Sequence, residues 1–430
     1  FVEDGADLAA SYGGSMSGEH GDGRARSELL TRMYSPEALS LMSQAKQLLD
    51  PDNLLNPGVL VDPEPLDANI RLARPHVSPL PMLRFTHDDG SFDQAVHRCT
   101  GVGKCLADNT ATGGVMCPSF TASRDEKDST RGRARVLQDV ATGLLSVNDP
   151  AVDDAMDLCL SCKGCSTDCP TGMDMATYKS EVLHRKYKRK LRPRSHYALG
   201  QLPRWARMTP PKLANKALGS KVLGRVMKKA AGVDRRRSIP AFSETPLVKG
   251  GERPDVWIWA DSFTDAFNTD VGRAAVALLD SLGLKAAFID ESACCGLTWI
   301  TTGQLTAAQK IVARTVATLH PYVTSGTPVI GLEPSCLAAL REDAPQLVAD
   351  PRAVEVSAGI RTLAEFLTDQ RYTPPDLTGT TIVAQPHCHH HSVLGWRVDE
   401  ALLKQTGATL VRMGGCCGLA GNFGVEEGHY

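Results

Sequence analysis

Cys159-Leu160-Ser161-Cys162-Lys163-Gly164-Cys165-Ser166-Thr167-Asp168-Cys169-Pro170 is an unbroken C-x2-C-x2-C-x3-C-P run, the spacing that wraps an iron–sulfur cube. Cysteines separated by two residues curl their thiolates round one set of irons, and the proline turns the fourth cysteine aside. A second run lies upstream, RCTGVGKC at 98–105 and then, after eleven residues, CP at 117–118. The two runs, Cys99–Pro118 and Cys159–Pro170, hold seven of the 13 cysteines. Zinc is one alternative, but zinc ribbons use separated C-x2-C pairs without a C-P ending. Disulfides are another; they suit small secreted domains, and this chain is 430 residues long.

In two-cluster ferredoxins the fourth cysteine of each run ligates the cluster of the other run. By that rule Cys117, Cys159, Cys162 and Cys165 make one complete [4Fe-4S] set. Cys99, Cys105 and Cys169 make the other, with Val102 where a middle cysteine falls. A thiolate missing from one corner leaves either a [3Fe-4S] cluster or a [4Fe-4S] cluster with an unusual fourth ligand, and shifts the reduction potential.

The length leaves room for two or three domains, each with its own core. A formal net charge of −2 says nothing of partners. No apolar run approaches the ~18–20 residues needed to span a bilayer, and the first residues show no basic-then-apolar leader. Reduced, cluster-bound cysteines fit a cytoplasmic setting. The chain opens inside a pattern, FVEDGADLAASYGGSMSGEHGDG, and stops at GNFGVEEGHY, so it is expected to be a piece of something larger.

Residues 1–62 read as a helix, a glycine-rich turn, a second helix over 35–49 and a proline-rich exit. SGEHGDGRARSELL (17–30) followed by LLDPDNLLNPG (48–58) resembles the end of the C-terminal domain of FAD-linked 2-hydroxy-acid dehydrogenases of the vanillyl-alcohol-oxidase fold. The resemblance implies that Glu19 is a ligand of a divalent metal, zinc or manganese, and that His20 abstracts the hydroxyl proton. It also places Asn56 near the FAD, although Val59 replaces a common lysine there. The chemistry is coherent, because hydride transfer from a hydroxyl-bearing carbon needs a base near neutral pKa. A metal there polarises the carboxylate and alkoxide of the substrate.

Residues 63–95 read as a linker, 96–184 as the two-cluster iron–sulfur domain and 185–250 as a basic connector. Arg131, Arg133 and Arg135 either neutralise the clusters or form a solvated face. Between Arg185 and Arg237 the only acid is Asp234. Such an arm, with Trp205, serves as a solvated connector, a dock for a partner, or a peripheral contact with an anionic membrane at its inner face. Nucleic-acid binding is not expected, since no recognition motif accompanies the charge.

From 251 onward the texture turns α/β. Strand, helix, strand and then SACCGLTW (Cys294, Cys295) are echoed by strand, helix, strand and GGCCGLAG (Cys416, Cys417). Each unit is followed or preceded by one more strand-end cysteine, Cys336 or Cys388. Cysteines at the carboxyl ends of parallel strands sit where ligands bind. The repeat resembles the cysteine-rich CCG domains of heterodisulfide reductase, of the iron–sulfur protein of glycolate oxidase and of anaerobic glycerol-3-phosphate dehydrogenase. This sequence departs from that pattern. Asp261, Ser262 or Thr264 stands where an opening cysteine is expected, and Glu333 stands where a C-x2-C pair would begin. The six late cysteines are left for a third iron–sulfur cluster or a lone metal site. Of His387, His389, His390 and His391, one is a candidate ligand or proton carrier and at least two are expected to face solvent.

The whole therefore reads as an α+β multidomain chain: the end of a flavin domain, an α-helical ferredoxin-like domain with two clusters, and an α/β CCG domain with an internal pseudo-two-fold repeat. The order matches fused FAD- and iron–sulfur-containing dehydrogenases of D-2-hydroxy acids. The resemblance implies oxidation of D-2-hydroxyglutarate, D-lactate or glycolate to the 2-oxo acid. Electrons would pass through the clusters to a quinone or a carrier protein, and a homo-oligomer is allowed. Two other classes stay open: an electron-transfer subunit without hydroxy-acid activity, and a heterodisulfide or quinone reductase module.

Overall fold

The computed structural model describes residues 1–68, 80–417 and 421–430. The chain divides into two units, residues 1–77 and 78–430. Part of the expected linker (69–79) and the end of the second CCG stretch (418–420) lie outside the described residues.

In the first unit the helix Val2–Ser11 and the helix Pro36–Leu49 flank the glycine-rich turn, around a small core of Ala6, Leu29 and Leu30. Ser35 starts the second helix by accepting the Ala38 N–H at 3.3 Å, with Pro36 in the first helical position. Asp50 closes it: its carboxylate accepts the Leu54 and Leu55 N–H groups, both at 2.9 Å, and Lys46 pairs with it. Asn53 and Asn56 take positive φ (49° and 46°) in the turn that follows, a conformation asparagine tolerates better than most side chains.

The second unit begins with a helical part. The helices Phe92–His97, Thr130–Ala141, Pro150–Asp157 and Met175–Lys186 bury Phe92, Val96, Leu137, Val152, Met156, Tyr178 and Val182 against one another. Tyr178 meets Phe92 edge-on at 6.2 Å and donates its hydroxyl to the Ala95 carbonyl at 3.0 Å. The stretch expected as linker is not all linker. Leu83 and Phe85 are core residues, and buried Glu181 accepts the Met82 and Leu83 N–H groups at 3.0 and 3.2 Å. Too few apolar residues stand in that segment to show a period, so its burial is not legible in the sequence.

The basic connector forms short helices, among them Leu202–Met208, Pro211–Gly219 and Leu223–Ala231. They leave Met208, Leu213, Val222 and Val226 exposed beside Lys212, Lys216, Lys221 and Arg225.

The α/β part carries a four-stranded parallel sheet of order β2-β1-β3-β4, with β1 Val256–Trp259, β2 Ala286–Phe288, β3 Val329–Gly331 and β4 Ile360–Thr362. The long helix Leu305–Val323 packs by Leu305, Ala308, Val312, Val316 and Leu319, a stripe of helical period. A separate parallel pair, β5 Thr381–Ala384 and β6 Thr409–Arg412, is joined through the helix Arg397–Gln405. Both cysteines that end a strand and open a helix, Cys336 and Cys388, run into a π-helical turn, Ala339–Asp343 and His390–Leu394, a geometry that recurs at functional sites.

His196 in the connector is buried edge-on against Tyr187 at 5.6 Å. Burial, helped by Arg192, Lys179 and Lys186, pulls its pKa from 6.5 down to about 4. The unfolded chain thus takes up a proton that the folded chain refuses, so stability falls as pH drops through the window from about 6.5 to about 4. The His196 share of the loss between pH 7 and pH 5 is about 2 kcal/mol. Urea unfolding of wild type and His196→Gln at both pH values checks this: the variant should show a shallower loss, and an unchanged loss rules the assignment out.

Candidate metal centres

All 13 cysteines are free thiols. Seven of them converge in the helical part of the second unit. Cys99, Cys105 and Cys169 line one pocket together with Val102, Thr130, Arg131 and Met173. Val102 sits at its exposed edge between Gly101 and Gly103, both at φ 81°. The backbone turns that only glycine makes cheaply let this loop curl round the pocket. Cys159, Cys162 and Cys165 lie in electrostatic reach of one another, and Cys117 is in reach of Cys165 and in side-chain contact with Cys105. Cys117 thus lies between the two expected sets.

Backbone N–H groups are aimed at these sulfurs. Thr130 donates to Cys117 Sγ at 3.0 Å, Arg131 to Cys105 Sγ at 3.3 Å and Met175 to Cys165 Sγ at 3.3 Å. The first two come from the N-terminus of the helix Thr130–Ala141, whose N-cap Ser129 accepts the Gly132 N–H at 3.0 Å. Helix N-termini and N–H donors stabilise negative sulfur and tune a cluster's potential. Set against these donors, burial favours the protonated thiols: it pushes Cys162 up to about 12, and Cys165 and Cys117 are also raised, Cys117 by contact with Cys105 and then by burial. Cys105, whose thiol is paired with Cys117, is lowered to about 6. Converging, buried, unbridged thiols with N–H groups pointed at them fit iron–sulfur clusters and fit disulfides poorly.

The three arginines separate by role. Arg131 lines the first pocket and donates to the Gly101 carbonyl at 3.2 Å. Arg133 is buried and holds the Ala155 carbonyl at 2.8 Å, while Arg135 is exposed. Lys163, which sequence reasoning passes over, is buried between two ligand cysteines. It pairs with Asp174 at 2.8 Å, Asp343 at 3.0 Å and Glu342 at 3.2 Å. No local signal marks it, since two of its partners come from the π-helical turn far along the chain.

The late cysteines form two groups. Cys388 contacts Cys416, lies in electrostatic reach of Cys417 and Cys162, and so stands beside the helical part's own thiols. Asp168 ties the same region together: it accepts Val115 and Met116 N–H groups at 2.8 and 3.0 Å and pairs with His391 at 3.1 Å. At least two histidines of the run are expected in solvent, but His387 alone of the four is exposed, and His390 and His391 are held by Asp399 and Asp168. The second group lies at the carboxyl ends of β1, β2 and β3. Cys295 and Cys336 sulfurs approach to 3.1 Å, and Cys294 is in contact with Cys295. Trp259 donates to the Ala293 carbonyl at 3.1 Å and Thr315 clamps Cys294, which fixes the CC turn. Asp261, Glu333 and Cys336 place donor atoms within 4.8 Å of one another. Burial, with Glu333 nearby, raises Asp261 to about 6.

In the first unit, Glu19 and His20 are exposed and touch each other at 3.1 Å, and Asn56 stands in its exposed turn.

Comparison with known proteins accords with these centres. The description "FAD linked oxidases, C-terminal domain" matches residues 1–60, "4Fe-4S dicluster domain" residues 93–173 and "Cysteine-rich domain" residues 262–341. The chain is 24% identical, over 97% of its length, to D-2-hydroxyglutarate dehydrogenase of Escherichia coli, and covers 46% of that protein. The corresponding figures for D-2-hydroxyglutarate dehydrogenase of Pseudomonas putida are 27%, 98% and 47%. It is 26% identical to the glycolate oxidase iron-sulfur subunit of Escherichia coli, over 78% of this chain and 82% of that protein. The chain thus spans about half the length of the D-2-hydroxyglutarate dehydrogenases it matches. No solved structure matches it significantly.

Val102→Cys supplies a fourth thiol to the pocket of Cys99, Cys105 and Cys169. Iron content should rise by about one per chain, and an oxidised three-iron paramagnetic signal should disappear. An unchanged spectrum and iron count would show that the corner is not open.

Proposed function

We propose that this chain, which joins part of an FAD-linked oxidase domain to an iron–sulfur dicluster domain and a cysteine-rich domain and is related to fused D-2-hydroxy-acid dehydrogenases, serves the oxidation of D-2-hydroxyglutarate to its 2-oxo acid. D-Lactate and glycolate are the next candidates. The observation that carries the reading is the meeting of seven unbridged thiols in the helical part, downstream of the oxidase segment. FAD supplies hydride acceptance, and the clusters supply one-electron steps toward a quinone or carrier protein.

The chain's own residues then have separate tasks. His20 takes the substrate hydroxyl proton, with Glu19 beside it as metal ligand and orienting carboxylate. Asn56 lies near the flavin. Cys117, Cys159, Cys162 and Cys165 hold a [4Fe-4S] cluster. Cys99, Cys105 and Cys169 hold a second, with three irons or with a fourth ligand that is not cysteine. Cys388, Cys416 and Cys417 continue the path from Cys162. The β1–β2 and β5–β6 units, each strand–helix–strand ending in paired cysteines, are read as two halves of one pseudo-symmetric domain.

A second reading rests on the glycolate oxidase iron-sulfur subunit, which the chain covers more fully than it covers the dehydrogenases: the chain acts as an electron-transfer module. One experiment separates the two. The full-length protein, kept anaerobic, is given D-2-hydroxyglutarate, D-lactate and glycolate in turn while its visible spectrum is recorded. Bleaching of flavin and cluster bands together by one acid supports the dehydrogenase, whereas bleaching by dithionite alone supports the module.

The connector suits a peripheral place at a membrane's inner face. Among the described residues no helix is long and apolar enough to cross a bilayer, yet exposed Leu213, Val222 and Val226 interleave with basic side chains. Each such charge adds about 1 kcal/mol of attraction near an anionic surface. Phosphatidylserine vesicles should therefore bind the protein at low salt and release it at high salt. Absence of binding at every salt concentration removes the membrane contact.

A further inference from the structure

At the carboxyl ends of β1, β2 and β3 the donor chemistry differs from that of the upstream cysteine sets. Asp261 and Cys336 are each 1% exposed, and Asp261 Oδ1 lies 3.7 Å from Cys336 Sγ. Glu333 completes a group of one thiol and two carboxylates within 4.8 Å, and the Cys295 sulfur adds a second thiol 3.1 Å from Cys336. Among the described residues neither carboxylate is paired with a lysine or arginine. Two unpaired carboxylates, one buried and one half-buried, beside two buried thiols favour a cation between them.

The carboxylates are also aimed. Asp261 caps its helix by accepting Phe263 and Thr264 N–H groups at 2.8 and 3.1 Å. Glu333 accepts the Cys336 N–H at 2.6 Å and the Ser335 hydroxyl at 2.7 Å. Both N–H groups go to Asp261 Oδ1, while its Oδ2 accepts only the Thr264 hydroxyl at 2.5 Å and Glu333 Oε1 only the Ser335 hydroxyl, so Oδ2 and Oε1 each keep a lone pair; outer hydrogen bonds of this type orient metal-binding carboxylates. A further buried group lies in electrostatic reach of Glu333. His389, 7% exposed, contacts the Ser161 carbonyl through Nε2 at 3.0 Å. A carbonyl only accepts, so Nε2 carries the proton and Nδ1 is a bare lone pair; that buried Nδ1 has no partner. A histidine whose other nitrogen is tied to a carbonyl is how ligating imidazoles are usually held.

We propose that Asp261, Glu333, Cys336 and Cys295 bind a single zinc-class divalent ion that clamps three strand ends and carries no electrons. Thiolates exclude magnesium and calcium, and carboxylate oxygens disfavour cuprous copper. Zinc accepts oxygen, nitrogen and sulfur together, without redox chemistry. The cysteine pattern that recurs in CCG domains is replaced here at two positions by oxygen donors, which favours one ion over a sulfide-bridged cluster.

The test uses the whole chain purified anaerobically, with metal analysis and zinc-edge X-ray absorption. Measured in a Glu19→Gln background, so that the divalent site proposed in the first unit does not contribute, the expected result is about one zinc per chain in a mixed shell of sulfur and oxygen or nitrogen neighbours. Asp261→Asn and Glu333→Gln, which keep the capping oxygens, should lower zinc severalfold and leave iron content and cluster absorption unchanged. Any of three results overturns the proposal: no zinc in the Glu19→Gln chain, an all-sulfur shell, or loss of iron instead of zinc in the carboxamide variants of Asp261 and Glu333. A Cys295–Cys336 disulfide found by mass spectrometry does so as well. If those variants fail to fold, the absorption shell of the Glu19→Gln chain decides alone.

Discussion

Lys163 stands between Cys162 and Cys165 with its ammonium buried against Asp174, Asp343 and Glu342. Burial alone would strip its proton; the three carboxylates instead hold its pKa well above the ordinary value. Such a buried cation adds little net stability against an apolar alternative, but leaving its partners unpaired costs several kcal/mol. Its effect is positional. The loop that carries the cluster thiols is pinned to the π-helical turn after Cys336, so the helical part and the four-stranded sheet meet in one arrangement.

From that joint the thiols run in sequence through the second unit. The pocket of Cys99, Cys105 and Cys169 adjoins Cys117, Cys117 reaches Cys165, and Cys162 reaches Cys416 and Cys388. Donor N–H groups accompany the first sets, and Asp168 with His391 and Arg412 braces the last. Thiols gathered with such support are receptive as ligands. The group at Asp261, Glu333 and Cys336 stands apart in chemistry, since its oxygen donors suit an ion that stays put.

Much of the fold is legible because its signals are local. Ser35 before Pro36, the apolar spacing of 269–281 and the short β-branched runs of β1, β3, β5 and β6 each report on neighbours in the chain. β4 gives no such signal, because three residues at the end of the helix Pro351–Gly359 continue a helical spacing. Of the three arginines after the first cysteine run, only geometry could show Arg131 at the pocket and Arg133 inside the core.

The iron–sulfur chemistry is legible in the primary structure, since a C-x2-C-x2-C-x3-C-P run carries its ligand geometry within twelve residues of backbone. The same primary structure also marks Glu333 and one of Asp261, Ser262 or Thr264 as departures, without saying what they do. It takes the folded arrangement to bring Asp261 and Glu333 to Cys336 and Lys163 to Asp343, and to leave His389 with a bare nitrogen. The reason is physical. Parallel strands bring their carboxyl ends together across long crossovers, and a charge buried at such a junction takes its partners from segments that no local pattern links.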